Sequence, residues 1–188
     1  VPTVAGEVRA RRAPLLFVGS MRYGPNADAA MLLVRDVLPV VRGRVPSVRL
    51  RLVGDIGHKL SRRIDSEPGV EVPGSVETIA PELATAGVVA VPLRYGSGTR
   101  LKIIEALAHG VPVVATSVAV EGLDVIDGQH LLIADSPKKF AERVVEVLTD
   151  AELSDRLGRS GRALVEHRYA WRVGLESVQR VATGVAGG

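Results

Sequence analysis

The stretch Val88 to Ala115, VVAVPLRYGSGTRLKIIEALAHGVPVVA, decides the fold. Val88-Val89-Ala90-Val91-Pro92-Leu93 is a short, unbroken apolar run rich in β-branched residues, the composition of a strand buried on both faces. A loop with glycines at 96 and 98 follows it. Residues 99 to 109 then carry apolar side chains at helical spacing, and Val111-Pro112-Val113-Val114-Ala115 is a second buried-strand run after Gly110. Strand, loop, helix and strand in so short a span predict two parallel strands joined by a crossover helix.

The same alternation extends outward in both directions. Pro14 to Gly19 reads as a strand, and from Asn26 the apolar positions Ala30, Leu33, Val34, Val37, Leu38 and Val41 predict a helix that Pro46 closes. Val48 to Gly54 is a strand, Lys59 to Ile64 a short helix, Val70 to Gly74 a strand, Glu77 to Ala86 a helix and Leu131 to Ala134 a last strand. Six apolar strands alternating with helices predict an α/β fold, a Rossmann-like doubly wound parallel sheet covered on both faces. Residues 136 to 167 read as two charged amphipathic helices, and Trp171 to Val185 as a third that fades into a Gly-rich tail. The expected organisation is a linker at 1–13, one binding domain at 14–170, and a C-terminal helix and tail at 171–188.

Composition narrows the function. Of the 188 residues 46% are hydrophobic, yet no apolar run approaches the roughly 18 residues that a membrane span needs, so a cytoplasmic location is expected. The absence of cysteine excludes disulfide scaffolds, thiolate metal sites and cysteine nucleophiles. A formal net charge of +3 is scattered in pairs such as Arg11-Arg12 and Arg62-Arg63, and only 3% of residues are aromatic, which argues against a nucleic-acid partner. The sequence opens at Val1 without initiator Met or apolar leader, so a segment of a longer protein with no signal peptide is expected.

In an open parallel sheet the ligand lies beyond the carboxyl ends of the strands, which directs attention to three loops: Gly19 to Gly24, Gly54 to Gly57 and Tyr95 to Arg100. No Walker A loop and no G-x-G-x-x-G follows any strand, so P-loop hydrolases and dinucleotide dehydrogenases are excluded. In the third loop Gly96 and Gly98 allow close approach of backbone to ligand, and Thr99 is expected to cap a helix whose free amides face an anion. Arg100 and Lys102 oppose the positive end of that helix dipole and make better sense beside a bound diphosphate than as solvated charges. Glu105 is either a planar acceptor for the paired hydroxyls of a ribose or a surface carboxylate pairing with Arg100 or Lys102. The histidines, His58, His109, His130 and His167, have no metal-ligand spacing, so no metal is expected, and His130 reads as a loop hydrogen-bonder. No Ser-His-Asp set or nucleophile elbow is present, Tyr23 reads as a packed side chain, and the catalytic residues stay unassigned.

Gly96 to Gly122 (GSGTRLKIIEALAHGVPVVATSVAVEG), with FVGSMRYGPN at 17–26, resembles the donor-binding segment of the retaining glycosyltransferases of the GT-B fold, the glycosyl transferases group 1 family. The resemblance runs over about residues 14 to 172. It implies that this chain is one half of a GT-B architecture, the C-terminal domain, and binds a UDP- or GDP-type sugar whose glycosyl group passes to an acceptor with retention. It also implies that an N-terminal acceptor-binding domain is absent from this chain, that any peripheral membrane association runs through that half, and that the domain alone is inactive. The family's E-x7-E pair implies a ribose contact for Glu105, but its first position holds Ser97, and its basic pair in the first loop falls near Ser20 and Pro25. Diphosphate charge is therefore expected from Arg22, Arg100 and Lys102, with further donor contacts from Gly19, Ser97, Gly98, Thr99 and Glu105, and the resemblance implies base contacts from the backbone at Val72, Gly74 and Ser75. Two other readings share the fold: a sugar-nucleotide epimerase, and a stand-alone nucleotide-binding or regulatory module.

Overall fold

The computed structural model describes residues 13–64, 67–96 and 100–169. The six expected strands are β1 Leu15–Val18, β2 Leu50–Val53, β3 Val70–Gly74, β4 Val88–Val91, β5 Val113–Ala115 and β6 Leu132–Ile133. They form one all-parallel sheet in the order β3-β2-β1-β4-β5-β6. Leu15 pairs with both Leu50 and Val88, so β1 lies at the centre and chain order reverses between β1 and β4. All of β4 and β5 is buried, as unbroken apolar strands in a doubly covered sheet must be.

The helix expected from Asn26 is longer and less regular than its periodicity suggests. α1, Gly24–Leu32, runs through a π-helical stretch at Leu33–Val37 into α2, Leu38–Arg44. Pro39 lies in the first turn of α2 and has no N–H to close an α-helical bond to the preceding turn, so the widened turn stands just before it. The remaining helices are α3 Gly57–Ile64, α4 Ala80–Thr85, α5 Leu101–Ala108, α6 Ser117–Val120, α7 Pro137–Thr149 and α8 Ala151–Arg168.

Three differences from the sequence reading have local causes. α5 starts at Leu101 with Arg100 at the N-cap, later than a Thr99 cap would require, and Thr99 itself lies outside the described residues. β5 starts after Pro112, which cannot donate to a ladder. α6 was hidden in sequence because it is a single turn, and it starts where the Thr116 hydroxyl accepts the Ala119 N–H at 3.3 Å. The helix expected at Trp171 to Val185 lies outside the described residues.

α8 fixes the position of α5. Gly158 and Gly161 stand where α8 presses on that helix: a methyl group on Gly158 would lie 2.4 Å from the Gly110 carbonyl oxygen, and one on Gly161 2.5 Å from Leu107 Cδ2. Glycine at both places lets α5 sit directly between α8 and the sheet, with Ile103, Ile104, Ala106 and Leu107 buried beneath.

Candidate functional site

The reversal of strand order sets the carboxyl end of β1 beside that of β4, so the loop after β1 meets the N-terminus of α5. Backbone bonds stitch the strand ends into one layer: Gly19 N–H donates to Val53 C=O at 2.9 Å, Gly54 N–H to Gly74 C=O at 2.8 Å, and Met21 N–H to Asp55 C=O at 2.7 Å. The loops after β1 and β4 abut, because a methyl group on Gly96 would lie 2.9 Å from Pro25 Cγ.

At this junction a lysine and an asparagine converge on Gly19. Asn26, in the first turn of α1, is buried, and its Nδ2 donates to the Ser20 carbonyl at 2.9 Å. Lys102, in the first turn of α5, donates from Nζ to Asn26 Oδ1 at 2.8 Å and lies 4.7 Å from the centroid of the Phe17 ring. A side chain on Gly19 would start 2.7 Å from Asn26 Nδ2 and 3.0 Å from Lys102 Nζ, so glycine is the residue that leaves room for both. Because an ammonium only donates and a carbonyl only accepts, the orientation of the Asn26 amide is dictated by its neighbours.

Lys102 is a cation that no carboxylate neutralises among the described residues. Burial first, and then the positive charge of Arg100, lower its pKa from 10.5 to about 8. The Arg100 side chain is 11% exposed; among the described residues its Nη2 reaches the exposed Glu121, at 3.6 Å, and its buried Nε has no partner. The first turn of α5 has no acidic residue. Among the described residues, two cations and a helix N-terminus thus share a corner whose ion pair is a long contact to Glu121 at the rim, an arrangement complementary to an anion.

The other expected contacts are distributed more widely. Arg22 is turned to Asp55 in the loop after β2, and that contact, followed by the Gly57 N–H at 3.1 Å, holds Asp55 below the usual carboxylate range. Arg22 lines an open cleft of about 860 Å³ with Met21, Met31, Ile56, Leu60 and Tyr95. The cleft is walled in part by the loop after β2, Gly54 to Gly57, one of the three loops singled out in the sequence, because β2 lies next to β1, whereas β3 is at the sheet edge. Glu105 lies half-buried one turn beyond Lys102. Val72 and Gly74 lie on edge strand β3, Gly74 at φ +84° with its carbonyl accepting the Gly54 N–H, and Ser75 is exposed just past it. Ser97, Gly98 and Thr99 lie outside the described residues.

His130 is buried and accepts the Ile126 N–H at Nδ1, 3.1 Å, as a loop hydrogen-bonder should, and burial lowers its pKa. Sequence reasoning missed Asn26, Phe17 and Asp55. Asn26 left one signal: it stands four residues before Ala30 on the buried stripe of its helix, a polar residue where the pattern asks for an apolar one.

A profile of the family described as Glycosyl transferases group 1 matches residues 12–150. The phosphatidyl-myo-inositol mannosyltransferase of Mycobacterium tuberculosis is 31% identical over 187 residues, covering 92% of this chain and 47% of that protein. Among solved structures, a mutant TarM of S. aureus in complex with Fondaparinux, alpha-GlcNAc-glycerol and UDP superposes with TM-score 0.73 at 19% identity, over 90% of this chain and 35% of that one. Anabaena HepE in complex with UDP and glucose superposes with TM-score 0.69 at 15% identity, over 100% of this chain and 53% of that one. The chain spans about half the length of the curated relatives it matches.

Proposed function

The chain belongs to the glycosyl transferases group 1 family, and from that premise we propose that it binds the nucleoside diphosphate end of a UDP- or GDP-type sugar, whose glycosyl group passes with retention to an acceptor held by a further domain. Its six-stranded α/β fold is that of one half of a GT-B glycosyltransferase. The observation that carries the proposal is the pairing of Arg100 and Lys102 at the N-terminus of α5, two cations at the point where strand order reverses, with no ion pair from Lys102 to a carboxylate among the described residues. The UDP named in the TarM and HepE complexes is consistent with a diphosphate there.

In this reading the chemistry is electrostatic. As the bond from the anomeric carbon to the diphosphate lengthens, negative charge grows on the leaving oxygen. Arg100, Lys102 and the α5 amides, held in place before the substrate arrives, stabilise that charge by several kcal/mol, so no metal is required. Glu105 accepts from the ribose hydroxyls, and the backbone around Val72 to Ser75 meets the base. A cytoplasmic location belongs to the same proposal. The acceptor and part of the sugar would be held by the further domain, so the 188-residue chain alone is expected to bind UDP or GDP with a dissociation constant of about 10 μM to 1 mM and to transfer no sugar.

Calorimetric titration with UDP, GDP, uridine and guanosine tests the reading, in the wild type and in Arg100→Ala. Loss of diphosphate affinity greater than loss of nucleoside affinity is expected. Failure of the wild type to bind either diphosphate at millimolar concentration would sink the reading, and so would equal losses for diphosphate and nucleoside.

A further inference from the structure

We infer that Asn26 is a positioning residue for the diphosphate site: its side-chain amide holds the Lys102 ammonium at the carboxyl end of β1 while leaving the charge un-neutralised, so that the place of a counter-ion is kept for the ligand. The inference rests on the reading of the site as a diphosphate site and adds the device that sets its charge.

The geometry supports each part. The amide is buried and fully committed, Nδ2 to the Ser20 carbonyl at 2.9 Å and Oδ1 to Lys102 at 2.8 Å, so it cannot swing away without abandoning both partners. It lies in the first turn of α1, 76 residues from Lys102, and thereby ties the loop after β1 to the helix after β4. Gly19 leaves room for the pair, and the Phe17 ring lies beneath the ammonium.

An aspartate would fit the same volume and bond the lysine more strongly, but it would set a carboxylate oxygen against the Ser20 carbonyl, and its charge would cancel the attraction that the ammonium exerts on a phosphate. An alanine would leave the ammonium without an acceptor. Asparagine orients the cation and contributes only a dipole, which is what a site for an anionic ligand requires. Among the described groups that act on the titration of Lys102, the charged one is Arg100, at the N-cap of the same helix; Glu105 stands one turn further along it. β1, its loop and the first turn of α1 contribute Phe17, Gly19 and Asn26 around Nζ, none of which titrates.

The test is the pH dependence of UDP and GDP binding to the 188-residue chain between pH 6.5 and 10, with uridine and guanosine as controls. The terminal phosphate of the ligand has its second pKa at about 6, so it is mostly ionised at the lower end of this range and fully ionised above about pH 8, where Lys102 titrates. Ligand binding requires protonated Lys102, so wild-type affinity holds below about pH 8 and falls above it, by up to about tenfold per unit. Asn26→Asp supplies a carboxylate: diphosphate affinity at pH 7 falls about tenfold or more, nucleoside affinity is unchanged, and the alkaline fall starts at higher pH. Asn26→Ala removes the acceptor, so the fall starts at lower pH. Opposite displacement by the two variants is a signature that a merely structural role does not produce, and circular dichroism confirms that each is folded. If either variant does not fold, the other is read against the wild type alone. An alkaline fall at the same pH in every folded variant, or equal losses for diphosphate and nucleoside, would overturn the assignment of Asn26 while leaving the diphosphate site standing. A wild type that binds neither UDP nor GDP would overturn the reading of the site, and this inference with it.

Discussion

Replacing Lys102 by methionine should stabilise the unliganded protein while destroying its affinity for diphosphate. The lysine is held in a folded state in which its pKa is about 8 rather than 10.5, and each unit of that difference is about 1.36 kcal/mol, so keeping the ammonium charged at pH 7.5 costs the fold roughly 3 kcal/mol. Methionine removes that cost and keeps an apolar contact with the Phe17 ring. Against this gain, Asn26 Oδ1 loses its donor and is left buried, which costs about 1–2 kcal/mol. The balance is a gain of roughly 1–2 kcal/mol, or a rise in Tm of about 2–6 °C for a chain of this size. The sign with pH follows from proton binding. Between about pH 8 and 10.5 the unfolded chain holds a proton on Lys102 that the folded chain has released, so this group makes the wild type more stable as pH rises through that window. The charge cost that Lys102→Met relieves is therefore full below about pH 8 and gone above 10.5, where the lost bond to Asn26 leaves the variant the less stable of the two. Differential scanning calorimetry of both proteins at pH 7.5 and at the highest pH that leaves them folded measures the difference. Titration with UDP and GDP at pH 7.5 should show at least a tenfold loss of affinity in the variant. A lower Tm for the variant at pH 7.5 would refute the idea that Lys102 is held at a cost to the fold, and unchanged affinity would refute its role at the diphosphate.

Two further outcomes probe the rest of the site. Glu105→Ala should leave the fold intact and weaken UDP or GDP binding by about 1.5–3 kcal/mol, with a loss as large for the ribonucleoside as for the diphosphate, because the hydrogen bonds removed are to the ribose; calorimetric titration decides, and unchanged affinity would mark Glu105 as a carboxylate without a ligand role. Gly158→Ala should lower stability by about 1–3 kcal/mol in urea titration, since its methyl group would lie 2.4 Å from the Gly110 carbonyl oxygen, and should weaken diphosphate binding in step because α5 is displaced from α8.

What the sequence disclosed and what it hid divide along sequence separation. The strands were legible because burial on both faces leaves unbroken apolar runs, as at Val88–Val91, and no helix among the described residues has that composition. Arg100 and Lys102 could be singled out in the sequence as candidates for an anion site because two bases in one helical turn, with no acid in that turn, conflict with the helix dipole unless a ligand resolves the conflict. Arg22 was not legible in the same way, since its partner Asp55 lies 33 residues away in a loop brought close only by the pairing of β1 with β2. The π-helical stretch before Pro39 could not be read from periodicity, because a single widened turn barely shifts the apolar stripe. Asn26 was the deepest omission: as a residue it suits a loop or a cap, and only the fold reveals that the first turn of α1 faces the first turn of α5.

That juxtaposition also accounts for where the site's charge comes from. The loop after β1 has neither Arg nor Lys at Ser20 or Pro25, and its one base, Arg22, is engaged by Asp55. A cation at that strand end must therefore arrive from elsewhere. The strand order offers one neighbour on that side, β4, whose following helix starts beside Gly19. A base carried on α5 differs physically from one carried on the loop. Its backbone is set by the buried Ile103, Ile104 and Leu107 and by the close approach of α8 at Gly158 and Gly161, so less freedom remains to be lost when a ligand binds. The same rigidity keeps the ammonium half-buried beside Arg100 when no ligand is present, which is why its proton is held so loosely. Preorganised charge and a lowered pKa are thus two consequences of one placement, and a variant that relieves the second should forfeit the first.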